Sequence, residues 1–127
     1  MTTFRLNVRK KPGELWARFP DAEGYLISSH GRVYSEHSKR ILILEKNNKG
    51  YSRIKLRGKF HFIHIKIVEV FGDCMGIKIP SEFDSLIKNG LSIDHLDRNK
   101  NNNKSNNLEL VTHQENCLRR SRREISM

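Results

Sequence analysis

The 127-residue sequence holds two cysteines, Cys74 and Cys117, and no C-x-x-C pair. A zinc ribbon or a disulfide framework therefore has no supply of ligands, and any metal the chain binds relies on oxygen and nitrogen donors. Long apolar runs are also missing. None approaches the ~20 residues needed to span a bilayer, and the opening "MTTFRLNVRK" lacks the apolar stretch of a signal peptide. The expectation is a soluble, cytoplasmic protein with no membrane partner. No internal repeat and no proline- or serine-rich linker divides the chain, and 36% of it is hydrophobic. That suffices for one modest core, so sub-modules sharing a core are expected instead of two independent domains. Acidic residues are short as well, 14 against 24 lysines and arginines, for a formal net charge of +10. This excess favours a polyanionic partner, nucleic acid or an anionic membrane surface, without choosing between them.

What the chain does have begins with short strands. From Tyr25 to Ile65 the pieces "YLIS", "RVYS", "RILIL", "YSRIKLR" and "KFHFIHI" alternate with turn signals at Ser29-His30-Gly31, Asn47-Asn48-Lys49-Gly50 and Gly58. They predict a small antiparallel sheet. In "YSRIKLR" the period of two places Ser52, Ile54 and Leu56 on one face, and Tyr51, Arg53, Lys55 and Arg57 on the other. The second face is either an ordinary solvated surface or a contact for phosphates. "IKIVEVFG" then predicts a helix of about two turns closed by Gly72, with His64 at its start read as a structural residue. "PSEFDSLIKNG" predicts a further helix capped by Ser81, with Gly90 beyond its end.

The stretch "IDHLDRNKNNNKSNNLELVTHQEN", residues 93–116, is the one low-complexity segment. "LSIDHL" and "LELVT" predict two strands, and the asparagine-rich loop between them is expected to fold tightly through turns in which side chains bond the local backbone. Thr112 with Glu115 has the form of a capping box opening a helix over "HQENCLRRSRR". Asp94 and His95 close the first strand, and Asn116 falls in the first turn of the helix.

This order and spacing resemble the HNH nuclease motif, the ββα-metal finger: His95, Asn107 twelve residues on, Asn116 nine further, with Asp94 before the histidine and "TxxEN" opening the helix. Asn116 stands where many members carry histidine, the variant seen in phage intron-encoded homing endonucleases. Upstream, "ELWARFPDAEGYLISSHGRVYS", with Trp16, Gly24-Tyr25 and the turn from Ser29 to Val33, is similar to the nuclease-associated modular DNA-binding segment of those enzymes. The family often continues into a C-terminal helix-turn-helix region, whereas this sequence ends at Met127; long, highly specific target recognition is correspondingly not expected. The resemblance implies an α+β fold: a β-rich DNA-binding segment over residues 1–72, a helical connection over 73–90, and the finger with its basic helix over 91–127.

Residue chemistry asks for the same roles. Phosphodiester hydrolysis needs an activated water, a charge sink for the phosphoryl oxygens and help for the leaving 3′ oxygen. His95 suits the general base. Asp94 and the Asn116 carbonyl are hard oxygen ligands suited to one Mg²⁺ or Mn²⁺, and Asn107 is expected to position the His95 ring. Arg53, Lys55, Arg57, Arg119, Arg120 and Arg122 are the expected DNA contacts; the arginines of the last helix are otherwise a solvated helix end favoured by its dipole. The expected protein is a phage-type endonuclease acting on double-stranded DNA in the host cytoplasm, monomeric and without a small-molecule cofactor. The alternative is a basic nucleic-acid-binding module without catalysis.

Overall fold

The computed structural model describes residues 9–72, 91–112, 114, 115 and 117–119. The expected connection over 73–90, with the capped helix in it, lies outside them. The architecture is α+β. Four short strands, β1 (Trp16–Arg18), β2 (Tyr25–Ser28), β3 (Val33–Ser35) and β4 (Arg40–Ile41), form an antiparallel sheet in sequence order. The β2–β3 turn is pulled tight by Ser28, whose Oγ accepts from the backbone N–H of His30 at 3.2 Å and of Arg32 at 3.0 Å. Gly31 takes the left-handed φ of +89° that the turn requires.

A second antiparallel sheet holds β5 (Glu45–Lys46), β6 (Ser52–Leu56) and β7 (Lys59–Phe62). Its first turn forms as the sequence predicts: Asn47 Oδ1 accepts from the N–H groups of Lys49 and Tyr51, and Gly50 is left-handed. β6 alternates as predicted, with Ser52, Ile54 and Leu56 buried and Lys55 exposed.

The run read as strand to Ile65 turns helical two residues earlier, and α1 spans Ile63–Phe71. The β-branched "IHIKIV" favours a strand locally. A helix here buries Ile63, Ile67, Val68 and Phe71 on one face, and that packing overrides local preference. Gly72 follows in right-handed conformation, not as the left-handed cap that a terminal glycine suggests.

The last sheet is the hairpin β8 (Leu91–His95) with β9 (Leu108–Thr112), in a register that pairs Asp94 with Glu109 and His95 with Leu108. A short 3-10 turn, Ser105–Asn107, leads into β9. Residues 114, 115 and 117–119 are helical, and the Glu115 N–H donates to Thr112 Oγ1 at 3.1 Å. This is one half of the expected capping box; the Glu115 carboxylate turns to Arg119 instead. Ile93 and Leu108 of the hairpin belong to the same buried cluster as Ile27 and Val33 of the first sheet, Ile54 of the second and Ile63 and Ile67 of α1. The hairpin is thus fixed on the apolar surface that the two upstream sheets share.

Outside that core the first sheet is secured by one buried carboxylate. Glu14, 5% exposed, accepts from Arg32 Nε at 2.8 Å and also from its Nη2, while the guanidinium lies 5.3 Å from the centre of the Trp16 ring. Burial alone pushes the Glu14 carboxyl up. The hydrogen bonds from Arg32, the Lys11 N–H and Ser28 outweigh it and lower the carboxyl to about 2. A carboxyl depressed in the folded state stabilises the fold above its unfolded value near 4.5 and loses that contribution as pH falls toward 2. Glu14→Gln is therefore expected to cost about 1–3 kcal/mol at neutral pH, the penalty of an unsatisfied partner. Thermal denaturation across pH should show the gap from wild type closing between about 4.5 and 2; a gap constant with pH would rule out the ion pair as its source.

Candidate active site

Strand alternation turns consecutive residues of β8 to opposite sides. Ile93 and His95 face the shared core and Asp94 faces the terminal helix; Asp94 and His95 are each 5% exposed. His95 sits against two aromatic rings, with ring centres 5.3 Å from His64 and 6.0 Å from Tyr51, and Tyr51 in turn stacks on His64 at 4.9 Å. Tyr51 was expected on the basic face of β6; being just before the strand, it instead turns inward against the two histidines.

The His95 ring is held at one nitrogen. Its Nε2 lies 2.8 Å from Asn103 Oδ1. An amide oxygen only accepts, so Nε2 carries the hydrogen, and in the neutral ring Nδ1 then holds the lone pair. Asn107, from which this contact was expected, is used elsewhere: its Oδ1 accepts from the Asp97 N–H, and its Nδ2 donates to Asp97 Oδ1 and to the Asn102 carbonyl. Its own carbonyl accepts from the Leu96 N–H at 2.8 Å. Asn107 therefore clamps the backbone that leaves His95 and shapes the loop presenting Asn103. Asn103, 4% exposed, is one of two site residues that sequence reasoning missed; nothing local sets it apart from its neighbouring asparagines.

The loop folds through the predicted turns. Asn99 N–H donates to Asp97 Oδ1 and Asn101 N–H to Asn99 Oδ1. Hydrogen bonds from Asn102, the Asn99 N–H and Asn107 lower the Asp97 carboxyl below its ordinary value. Contacts with the upstream segment continue the bracing: Lys100 Nζ donates to the Lys49 carbonyl at 2.9 Å and lies over the Tyr51 ring, and Ser105 N–H donates to the Ser29 carbonyl at 2.8 Å.

On the other face, Asp94 Oδ2 accepts from Arg119 Nη1 at 3.1 Å. The same guanidinium meets Glu109 at 3.0 Å and Glu115 at 3.2 Å, and these carboxylates, Glu109 foremost, raise its pKa. Arg119, expected to grip phosphate, is thus held among three carboxylates, where it fixes the Asp94 side chain. Arg120, Arg122 and Asn116 lie outside the described residues. As a hard oxygen donor Asp94 fits a small divalent cation. Among the described residues no group of three or more His, Cys, Asp or Glu side chains gathers around one point.

The basic strand is only partly available. Arg53 pairs with Glu45 at 2.6 Å and lies over the Phe60 ring at 4.1 Å. Arg57, left-handed at φ +51°, donates to the Glu23 carbonyl at 2.9 Å. Lys55 is exposed and 5.5 Å from the centre of Phe60.

Comparison with known proteins places two stretches of this chain. Residues 86–118 match the HNH endonuclease family and residues 14–57 the NUMOD4 motif. The chain is 33% identical over 104 residues to the H-N-H endonuclease F-TflII of Escherichia phage T5, covering 79% of this chain and 49% of that protein. It is 35% identical over 102 residues to the DNA endonuclease I-HmuI of Bacillus phage SP01, covering 76% and 52%. The solved structure described as DNA binding and cleavage by the HNH homing endonuclease I-HmuI superposes with a TM-score of 0.68 at 30% identity, over 87% of this chain and 59% of that one. The chain thus spans about half the length of the curated relatives it matches. Among the described residues no helix is long and apolar enough to cross a membrane.

His64 is the other residue that sequence reading set aside. It is 9% exposed, with no hydrogen-bond partner for Nδ1 among the described residues. Burial, and then the neighbouring His95, lower it from 6.5 to about 3. The folded protein thus keeps His64 neutral where the unfolded chain protonates it, so acidification from about 6.5 toward 3 favours unfolding. The slope reaches at most about 1.4 kcal/mol per pH unit for one proton. His64→Phe keeps an aromatic ring on Tyr51 and removes the titration. Melting temperatures between pH 6.5 and 4.5 should fall less steeply than in wild type; equal slopes would show that His64 does not carry this sensitivity.

Proposed function

Because the chain carries an HNH endonuclease domain behind a NUMOD4 motif, we propose that it is a phage-type homing endonuclease that hydrolyses phosphodiester bonds of double-stranded DNA with one divalent ion, Mg²⁺ or Mn²⁺. The observation that carries the reading is the hairpin end. There one imidazole is held by its Nε2, leaving Nδ1 as a proton acceptor, and a carboxylate on the next residue back faces the opposite side of the strand.

In this mechanism water attacks phosphorus, its proton passes to His95 Nδ1, and the bond from phosphorus to the 3′ oxygen breaks, leaving a 5′ phosphate and, after protonation from solvent, a 3′ hydroxyl. Asp94 and the carbonyl of Asn116 would hold the divalent ion, which would supply charge stabilisation to the phosphoryl and leaving oxygens. Asn107 keeps the loop after His95 closed. Lys55 contacts the phosphate backbone of the duplex, and Arg53 and Arg57 do so on leaving Glu45 and the Glu23 carbonyl; Arg120 and Arg122 supply further phosphate contacts. The protein works as a monomer in the host cytoplasm and needs no small-molecule cofactor. Domain limits of 1–72, 73–90 and 91–127 describe its parts.

Supercoiled plasmid incubated with the protein and Mg²⁺ should be nicked or linearised, and EDTA should stop it. His95→Ala should remove about 10²–10⁴-fold of the rate while DNA affinity stays near wild type, because a general base acts on the transition state and contributes little to ground-state binding. Unchanged nicking by His95→Ala would remove it from the mechanism. Binding without any metal-dependent cleavage by wild type would favour the non-catalytic module.

The ligand role of Asn116 is tested separately. Asn116→Leu, similar in size and without an oxygen donor, should lose most activity and need far higher Mg²⁺ for what remains. Asn116→His should keep some activity and accept Co²⁺ or Ni²⁺ better than wild type, because imidazole suits those ions. Metal-response curves for both variants coinciding with wild type would exclude Asn116 as a ligand.

A further inference from the structure

The upstream segment and the finger meet at a point that bears on the general base. Asn103, the residue on His95 Nε2, is buried against the β2–β3 turn. At Gly31 an added Cβ would lie 3.1 Å from Asn103 Cβ, 3.5 Å from Ile63 Cγ2 and 3.8 Å from the Asn103 carbonyl oxygen. Two residues from Asn103, the Ser105 N–H donates to the Ser29 carbonyl at 2.8 Å. Asn103 is therefore walled by the turn on one side and tied to it through Ser105 on the other.

The turn itself has little freedom. Ser28 N–H donates to the Arg32 carbonyl at 2.8 Å and Gly31 N–H to the Ser28 carbonyl at 3.0 Å. Ser28 Oγ accepts twice, Ser29 exchanges bonds with the Leu15 backbone, and Arg32 is locked on Glu14. A rigid turn beside the Asn103 Cβ and backbone carbonyl limits where that residue, and with it the side-chain oxygen, can sit. That oxygen decides which imidazole nitrogen keeps its hydrogen.

We infer that the Ser28–Arg32 turn of the N-terminal motif is a positioning element for His95, acting through Asn103: it holds the Asn103 oxygen on Nε2 and so keeps Nδ1 available as the base. The N-terminal segment then contributes to the rate of the chemical step as well as to DNA contact. This rests on the endonuclease reading for its kinetic consequence and on the contacts alone for its structural one.

The test follows the His95 tautomer by long-range ¹H–¹⁵N NMR of the imidazole, assigned by comparison with His95→Gln, together with kcat and KM for plasmid nicking. Wild type should show hydrogen on Nε2. Asn103→Leu should mix the two tautomers and lower kcat about 10–100-fold with KM little changed, the usual effect of removing a group that orients a functional histidine. Asn103→Asp, which still accepts from Nε2, should keep the tautomer and retain more of kcat than Asn103→Leu.

Gly31→Ala should move the tautomer and kcat in the same direction as Asn103→Leu. Gly13→Ala should leave both unchanged: Gly13 has a similar φ of +74°, but among the described residues no heavy atom lies within 4 Å of an added Cβ. Should Gly31→Ala fail to fold, Ser105→Pro removes the N–H that reaches Ser29. Ser105 opens the 3-10 turn, and Lys104 before it is already extended at ψ 138°, a conformation that proline tolerates in its neighbour. An Nε2-protonated His95 in Asn103→Leu would overturn the inference, as would Gly31→Ala or Ser105→Pro behaving like Gly13→Ala. If wild type proves not to cleave DNA, the proposed function falls and the NMR measurements alone decide this inference.

Discussion

A loop of asparagines, lysines and one aspartate buries almost no apolar surface, so its shape depends on polar partners. The reciprocal exchange between Asp97 and Asn107 supplies the first of them: the Asp97 N–H donates to Asn107 Oδ1 at 3.0 Å, and Asn107 Nδ2 returns a bond to Asp97 Oδ1 at 2.9 Å. It closes the loop at its neck, one turn beyond His95. Asn99 and Asn102 complete the set on the same carboxylate. The position of Asn103, and through it the orientation of His95, depends on that neck.

Much of this was legible in the sequence, for local reasons. Most strands from Tyr25 onward follow from alternation between turn residues, although that pattern predicts one sheet and gives no sign of β1, of the split into two sheets, or of the shortening of "RILIL" to Arg40–Ile41; the hairpin, its folded loop and the Thr112 cap follow from strand ends, asparagine chemistry and the spacing to Glu115. The residues that escaped are those whose partners lie far along the chain. His64 is unremarkable in "FIHI" until the fold brings it against His95 and Tyr51. Asn103 looks like any other asparagine of the run until the β2–β3 turn covers it. The start of α1 at Ile63 contradicts local preference because a helical face, and not a strand face, fits the core.

Charge counted from sequence overstates what is available to a polyanion. Arg32, Arg53 and Arg119 all pair with carboxylates, and Arg57 caps a backbone carbonyl. Planar guanidinium groups favour such forked and stacked arrangements, whereas a lysine on a flexible stem more often stays in solvent. Part of the +10 balance is thus engaged within the fold, on Arg32, Arg53, Arg57, Arg119 and the buried Lys66, while side chains such as Lys55 face outward.

The single cluster that contains Ile93 and Leu108 together with Ile27, Val33, Ile54 and Ile63 limits how such a protein can be assembled from interchangeable cassettes. A hairpin transplanted behind a different leading segment would expose two of its large side chains unless the recipient offered a recess of matching shape. Exchange of parts between lineages is consequently constrained at the seam by volume and register, and a chimera that preserves every polar residue of the site can still fail there.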